Sequence, residues 1–443
     1  MKVGVISLGC PKNLIDSEII LGILKDNKYE IVTDKEEADA IIVNTCAFIE
    51  SAQQEAIDTI LEVSKLKGKK LKKLVVAGCL AQRYKDEVIK EIPEVDAVLG
   101  TSKVGDVLNV LSDEKDGDRV VCGSFGNIDY LNKSRVVSTA KPTAYLKIAE
   151  GCDNFCTYCI IPKLRGRYVS RKIEDVVKEA KILSDEGYSE IVLVAQDVTV
   201  YGKDLYGKKR IVELIQEISK IDKVRWIRLL YCYPEEITDD LIQEMRTNSK
   251  LLNYLDIPIQ HASDYVLKKM GRRGNRALIQ DVIKKIRESV PDVVIRTSLI
   301  VGFPGERDED FVVLRDFVDS IKFDRLGVFK YSREEGTPAY NMENQVSEKV
   351  KEERYNDIMT IQNKISKEKC QGRLGRIYET VVEGVADDGI FYEGRTRYEA
   401  PDIDGKIYFT SGEELNIGDF VSTKIVNADD YDLIGVVIDE FAE

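Results

Sequence analysis

Cys152, Cys156 and Cys159 stand on a C-x3-C-x2-C ruler inside the stretch Gly151-Cys-Asp-Asn-Phe-Cys-Thr-Tyr-Cys159. Three thiolates so close in sequence form a ligand set for a soft metal. They do not complete the four-coordinate shell of a structural zinc. The chain has a single histidine, His261, so no neighbouring imidazole supplies a fourth ligand. Three thiolates do hold a [4Fe–4S] cluster with one iron left open, where four would saturate it. An open iron binds a substrate or cofactor directly, as a Lewis-acid metal does at a free coordination position. The spacing therefore predicts iron–sulfur chemistry with an external ligand on the cluster.

Cys10, Cys46 and Cys79 are far apart in sequence but share a context. Each follows an apolar, strand-like run, at residues 3–8, 40–44 and 74–77. In an open α/β sheet, functional groups gather at the carboxyl ends of the strands. Three strands that each deliver one thiol to that edge predict a second three-thiolate centre. The alternative is three separate small core residues, as buried cysteines often are, although a core residue belongs inside a strand rather than at its exit. Cys122, Cys232 and Cys370 have no such placement and read as packing residues.

The elements that must position these thiols fall into three regions of an α/β multidomain chain. Residues 1–115 alternate strand runs with helical ones (17–25 and 52–65), which implies a doubly wound parallel sheet. Residues 138–369 hold six β-type runs, at 145–149, 190–195, 226–230, 254–259, 293–301 and 325–330. Six units are too few for an eight-fold barrel and suit an open (β/α)6 one. A trailing helix at 347–369 spaces Ile358, Ile361 and Ile365 to pack on that barrel. Residues 371–441 carry short runs at 377–382, 389–392, 407–410, 420–426 and 433–438, the pattern of a small OB-like antiparallel β-barrel. The polar stretch 112–118 reads as a loop.

Composition bounds the rest. With 443 residues, 43% apolar and 32% charged, the chain is no disordered segment, collagen-like fibre or small disulfide scaffold. No run approaches eighteen uncharged apolar residues, and the first ten lack a cleavable signal, so a cytosolic, membrane-free protein with reduced thiols is expected. The net charge of −13 is uneven: residues 371–443 have six Lys and Arg against seventeen Asp and Glu, a net of −11. Such a segment repels phosphate and suits a basic partner, unless its carboxylates merely solvate it. Gly202 to Lys209 nearly spells a P-loop but has Lys209 where Ser or Thr must ligate magnesium, and no G-x-G-x-x-G opens a helix after a strand.

The C-x3-C-x2-C motif resembles the signature of the radical S-adenosylmethionine (SAM) superfamily. The resemblance implies that the open iron chelates the amino and carboxylate groups of SAM. It also implies that the reduced cluster yields methionine and a 5′-deoxyadenosyl radical, which takes hydrogen from unactivated carbon. On the same resemblance Tyr158 lies beside the adenine. Ile300-Val-Gly302-Phe-Pro-Gly305-Glu306 is similar to the superfamily's Gly-bearing fifth-strand segment against that base, or is a plain Gly/Pro turn. With the first three cysteines and the terminal small barrel, the whole chain resembles the methylthiotransferase family, whose last part is called TRAM. Leu8-Gly-Cys-Pro-Lys-Asn-Leu-Ile-Asp-Ser-Glu18, Asn44-Thr-Cys46, Ala77-Gly-Cys79, Glu150-Gly-Cys152, Cys159-Ile-Ile-Pro-Lys-Leu-Arg-Gly166, Ala195-Gln-Asp197 and Pro258-Ile-Gln-His261 carry that likeness. Gln196 and Asp197, after the second barrel run, are candidates for the methionyl or ribose groups of SAM. His261 is either a SAM or substrate contact or a satisfied structural group. Arg296 either pairs with a carboxylate of SAM or substrate or forms an interior ion pair.

Two branches of that family differ in substrate. One modifies an isopentenylated adenosine near the tRNA anticodon, the other the β-carbon of an aspartate in ribosomal protein S twelve. Cys10-Pro11-Lys12-Asn13 resembles the second, since the tRNA branch typically has Gln-Met-Asn after that cysteine. The acidic terminal segment points the same way, because tRNA contacts call for Lys and Arg. Phe391-Tyr392 and Tyr408-Phe409 are either stacking platforms for bases or core aromatics. The resemblance thus implies two [4Fe–4S] clusters, on Cys10, Cys46 and Cys79 and on Cys152, Cys156 and Cys159, with SAM as both methyl donor and radical source. It implies ribosomal protein S twelve as partner, held by the acidic surface of 371–443, and an electron donor such as flavodoxin or ferredoxin; tRNA is disfavoured. The competing expectations are a tRNA methylthiotransferase and a non-catalytic iron–sulfur ribosome-assembly factor that consumes no SAM.

Overall fold

The computed structural model describes residues 1–112 and 119–438. Apart from Ser112, the loop expected at 112–118 lies outside them. The first sheet has β1 (Lys2–Ser7), β2 (Glu30–Ile31), β3 (Ala40–Thr45), β4 (Lys73–Gly78), β5 (Ala97–Gly100) and β6 (Val120–Val121), all parallel, in the order β2-β1-β3-β4-β5-β6. Strands β3 and β4 are nearly unbroken runs of aliphatic residues because both faces are covered. Ile42, Val75 and Ala77 meet Ile15, Ile19 and Ile23 of the helix Pro11–Asp26. Ile41, Val43, Leu74 and Val76 meet Ala56, Ile60 and Val63 of the helix Glu50–Ser64. The sheet is doubly wound as expected, and its order reverses between β1 and β3, the point where such sheets bind ligands. The helix begins at Pro11, six residues before the expected start. Lys12, Asn13, Asp16, Ser17 and Glu18 are buried polar residues that break its amphipathic pattern.

Six parallel strands form the central open barrel: β7 (Thr143–Lys147), β10 (Glu190–Val194), β11 (Trp226–Leu229), β12 (Leu251–Asp256), β13 (Val294–Val301) and β14 (Arg325–Lys330), in the order β14-β13-β12-β11-β10-β7. A two-stranded ribbon, β8 (Ala149–Glu150) with β9 (Val169–Ser170), sits at the mouth. Strand β12 ends at Asp256, three residues before the expected limit, so His261 follows it by a loop. The N-terminal region contacts both free edges. Lys147 on β7 donates to Asp16 (2.5 Å), and beyond β14 Glu334 accepts from Arg83 (2.8 Å) and Gln53 (2.8 Å). The helix Glu348–Gln371 packs on the barrel through Ile358 and Ile365.

The last five strands, β15 (Ile377–Val385), β16 (Tyr392–Thr396), β17 (Ile407–Thr410), β18 (Phe420–Ala428) and β19 (Leu433–Val437), close a small barrel. All its pairings are antiparallel except β17 with β19. The strand expected at 389–392 is instead a turn: Asp388 Oδ1 accepts from the amides of Ile390 (2.8 Å) and Phe391 (3.2 Å), and β16 starts only at Tyr392. Phe409 is buried and Tyr392 stacks on it, at 6.0 Å between centroids, so this pair belongs to the core. The small barrel docks on the amino-terminal ends of the central strands. Arg395 and Arg228 both bond Glu190, Arg325 bonds Glu399, and Tyr145 and Tyr254 bond Asp402 and Asp404. Three carboxylates of this acidic segment, Glu399, Asp402 and Asp404, are thus engaged within the protein. Among the described residues no helix is long and apolar enough to cross a membrane.

Candidate functional site: two cysteine trios at the barrel mouth

The barrel trio sits on the loop that leaves β8. Gly151 has φ +78°, and a Cβ there would meet the carbonyl oxygen of Arg167 at 2.0 Å, so the turn into Cys152 needs glycine. The loop is pinned along its length. The Cys152 amide donates to Gly166 O (3.1 Å), Asn154 Nδ2 to Asp197 Oδ2 (3.1 Å), and Thr157 N to Met270 O (2.9 Å). Burial pushes the Cys152 thiol up to about 11 and raises Cys159 as well. Burial also lifts Asp197 to about 6, although Thr199 and Asn154 bond its carboxylate. The Tyr233 hydroxyl lies 3.8 Å from Cys156 Sγ.

The N-terminal trio is assembled from three strand exits. Cys10 caps the helix Pro11–Asp26, Cys46 follows β3, and Cys79 opens the helix Cys79–Tyr84 after β4. Asn13 staples them: its Nδ2 donates to Leu8 O (3.1 Å) and Thr45 O (2.8 Å), and its Oδ1 lies 3.7 Å from Cys79 Sγ. Gly9 has φ +92°, and a Cβ there would meet Cys46 Cβ at 2.8 Å, so glycine lets the Cys10 turn close on Cys46. Burial pushes Cys79 up to about 12 and raises Cys46, and the neighbouring thiols add to both shifts. Cys10 goes the other way: burial raises it, but Lys12, Arg165 and the backbone amides of Asn13 and Lys12 together hold it below the usual thiol range.

One residue joins the two trios. Arg165 donates from Nη2 to Asn13 Oδ1 (2.5 Å) and Asp16 (3.0 Å), lies 3.7 Å from Cys79 Sγ, and donates from Nη1 to Glu150 (2.8 Å). Glu150, two residues before Cys152, also accepts from Lys147 (2.9 Å), Tyr130 (3.0 Å) and Gln196 (2.8 Å). Against burial, Arg165 and Lys147 hold its carboxyl well below the usual range. The sequence reading passed over Arg165, Glu150, Lys147, Asp16 and Asn13 as site residues. A signal was present: Lys147 shares the inward face of β7 with Thr143 and Tyr145, where an unpaired lysine is too costly to bury.

The remaining candidates separate. Tyr158 packs in one apolar cluster with Phe303, Ile300 and Tyr331, so the Gly302 segment and the cysteine loop do meet. Gly302 (φ +73°) donates its amide to Glu306 Oε2 (2.6 Å), and Lys351 covers the side where a Cβ would project. Gln196 spends its amide nitrogen on Glu150, but its buried Oε1 has no partner. Asp197 holds the loop through Asn154. His261 is fully buried behind the Gly302 segment, with Nδ1 accepting from Ser263 N (2.9 Å) and Nε2 3.9 Å from Glu306. Arg296 pairs with Asp256 across neighbouring strands (2.8 Å), the interior ion pair foreseen as its alternative. Cys232 and Cys370 are buried in packed surroundings, and Cys122 lies against Ala81.

These side chains suit the groups that the resemblance implies. All six are free thiols, and Gln196 Oε1 and His261 Nε2 are buried atoms without a hydrogen-bond partner. Among the described residues no three His, Cys, Asp or Glu side chains form a group placed to hold a metal ion as the chain stands.

The chain matches three family models: "Uncharacterized protein family UPF0004" over residues 2–100, the radical SAM superfamily over 146–318, and the TRAM domain over 374–438. It is 58% identical, over 99% of both chains, to "Ribosomal protein uS12 methylthiotransferase RimO" of Acetivibrio thermocellus. It is 52% identical, again over 99% of both, to the protein of that name from Clostridium kluyveri. Among solved structures, the radical SAM methyltransferase TsrM of Kitasatospora setae superposes with a TM-score of 0.53 at 13% identity, covering 76% of this chain and 73% of that one, a likeness of fold. With such identity sustained from end to end, this chain belongs to the radical SAM methylthiotransferase family, in its RimO branch.

Proposed function

We propose that the enzyme methylthiolates the β-carbon (C3) of an aspartate in small-subunit ribosomal protein S twelve, in the cytosol. In this reading Cys152, Cys156 and Cys159 hold one [4Fe–4S] cluster and Cys10, Cys46 and Cys79 a second. When bound, the clusters and SAM supply the radical, the sulfur and the methyl group. The chain's own residues supply placement. Asp197 fixes the barrel loop through Asn154, and Asn13 draws together the ends of β1 and β3. Arg165 ties both to one buried wall, so the two centres keep a fixed separation. Gln196 Oε1 is a buried acceptor left free for a ligand donor, and Tyr158 with the Gly302 segment forms an apolar wall suited to adenine. Burial of these walls excludes water from reactive species.

The observation that supports this most is the bridge itself: one guanidinium touches the surroundings of both trios at the carboxyl edges of two parallel sheets. Exposed Asp387, Asp388, Glu413, Glu414 and Asp429 on the small barrel remain for a basic partner. An electron donor such as flavodoxin or ferredoxin supplies the reducing equivalents. The test is anaerobic reconstitution, then incubation with SAM, reductant and either ribosomal protein S twelve or isopentenylated tRNA. A methylthio mass gain on the protein is expected. A gain on tRNA alone, or no release of 5′-deoxyadenosine, overturns the proposal in favour of the tRNA enzyme or the non-catalytic factor.

A further inference from the structure

Lys12, between Cys10 and Asn13, is only 7% exposed. Its ammonium sits 3.3 Å from the centroid of the Tyr231 ring. Its polar neighbours are the Tyr231 hydroxyl, the Cys10 thiol and the Arg165 guanidinium, and no carboxylate among the described residues forms an ion pair with it. The nearby carboxylates, Asp16 and Glu150, are already engaged by Lys147 and Arg165. Tyr231 leaves the carboxyl end of β11 with φ +67°, a costly conformation for a residue with a side chain. Lys12 therefore reaches from the N-terminal trio to the barrel mouth, beside the amino end of a 16-residue helix that adds further positive potential. Apart from the Cys10 sulfur, no anionic group among the described residues faces this buried ammonium, and a buried charge so thinly compensated is expensive unless a further anion arrives with a ligand.

We propose that Lys12 is the binding residue for the side-chain carboxylate of the substrate aspartate, which places the carbon bearing that carboxylate between the two trios. The inference rests on the function proposed above and sharpens it. The carbon to be modified carries the carboxylate directly, so fixing the anion fixes the carbon. A nucleobase offers no anion to the same ammonium, so Lys12 also works against an adenosine substrate.

The test uses the reconstituted holoenzyme and two peptides copied from ribosomal protein S twelve around the target, one with Asp and one with Asn there. A hydrogen bond to a charged group predicts that the wild type binds the Asp peptide about 10- to 100-fold more tightly. In Lys12→Met that preference falls below about twofold, and in Lys12→Arg part of it returns. Iron and sulfide content are measured beside each Kd. If Lys12→Met loads poorly, the wild-type pair of Kd values decides: a preference under about twofold overturns the inference. A Met variant that keeps the full preference overturns it too and leaves Lys12 as mere charge compensation for the thiolates. A wild type that modifies the protein yet ignores Asp against Asn sinks only this inference, whereas one that modifies no protein sinks the functional proposal with it.

Discussion

Two buried ionic networks cap the central barrel, one at each end, and they differ in completeness. At the base, Arg228, Arg325, Arg373 and Arg395 meet as many carboxylates, with Glu383 beside Arg395, Asp404 3.9 Å from Arg325, and Glu190 and Glu399 each shared by two of the arginines. Those two carboxyls are held down at about 2 by the guanidiniums, against the opposing effect of burial. At the mouth, Lys12, Lys147 and Arg165 face Asp16 and Glu150, one cation too many, and Gln196 and His261 leave buried atoms without partners. Single guanidinium nitrogens of Arg228, Arg325, Arg373 and Arg397 are also left over at the base, but the first three keep their ion pairs. Burial and charge are common to both ends. What marks the mouth as the working end is unsatisfied charge, since a network with no external ligand is usually complete.

The sharpest way to break the comparison is to empty one trio at a time. Cys156→Ala is expected to abolish 5′-deoxyadenosine formation outright. Cys46→Ala is expected to leave that reaction largely intact while abolishing methylthiolation. After anaerobic reconstitution the wild type should bind about eight iron and eight sulfide per chain, and either variant about four. A Cys46→Ala enzyme that still methylthiolates its protein would show that the N-terminal trio is structural, and the mouth would then resemble the base.

Next in size is the bridge between the trios. Arg165 is 2% exposed at its side chain and faces two carboxylates, so Arg165→Met leaves the buried Asp16 and Glu150 to share Lys147 as their remaining ion-pair partner. Breaking a buried pair from one side costs about 3–5 kcal/mol, read as a loss of unfolding free energy in denaturant. The double variant Arg165→Met with Glu150→Gln should recover part of that loss, because fewer charges are left unpaired. Equal stability of Arg165→Met and wild type would mean that water reaches this wall and that the bridge is ornamental.

How much of this was legible in sequence follows from distance along the chain. The barrel trio lies within eight residues, and its spacing states its chemistry directly. The N-terminal trio spans about seventy residues and could be read only because each cysteine falls at the exit of an apolar run, which a parallel sheet gathers at one edge. The Arg165 bridge could not be read. Its partners lie up to 152 positions away, and nothing in Pro-Lys-Leu-Arg-Gly signals that this arginine turns inward while Lys163 does not. The acidic terminal segment misled in part for the same reason: Glu399, Asp402 and Asp404 count toward the net −11 but face the barrel base rather than a partner. Strands β2 and β6 have two residues each, too short to show any period.

The smallest effect, and the one that tests the base, is a pH dependence. Glu190 titrates at about 2 in the folded chain and at about 4.3 when unfolded. A depressed carboxyl stabilises the fold fully above the unfolded value, and that stabilisation is lost as pH falls from about 4.3 towards 2, on the order of 3 kcal/mol in all. Trp226, the only tryptophan in the chain, meets Phe420 of the small barrel edge-on at 5.0 Å, so its emission reports this interface. Acid should therefore shift Trp226 emission to the red in that window. Glu190→Gln leaves Arg228 and Arg395 facing a neutral amide, so the variant starts less stable at neutral pH. Its gap from wild type should narrow by roughly 3 kcal/mol between pH 5 and 2 as the native carboxylate loses its charge. A gap independent of pH would mean that Glu190 acts at the base by packing and hydrogen-bond geometry alone. The contrast between a charge-complete base and a charge-incomplete mouth would then have to rest on Glu399 and its two arginines.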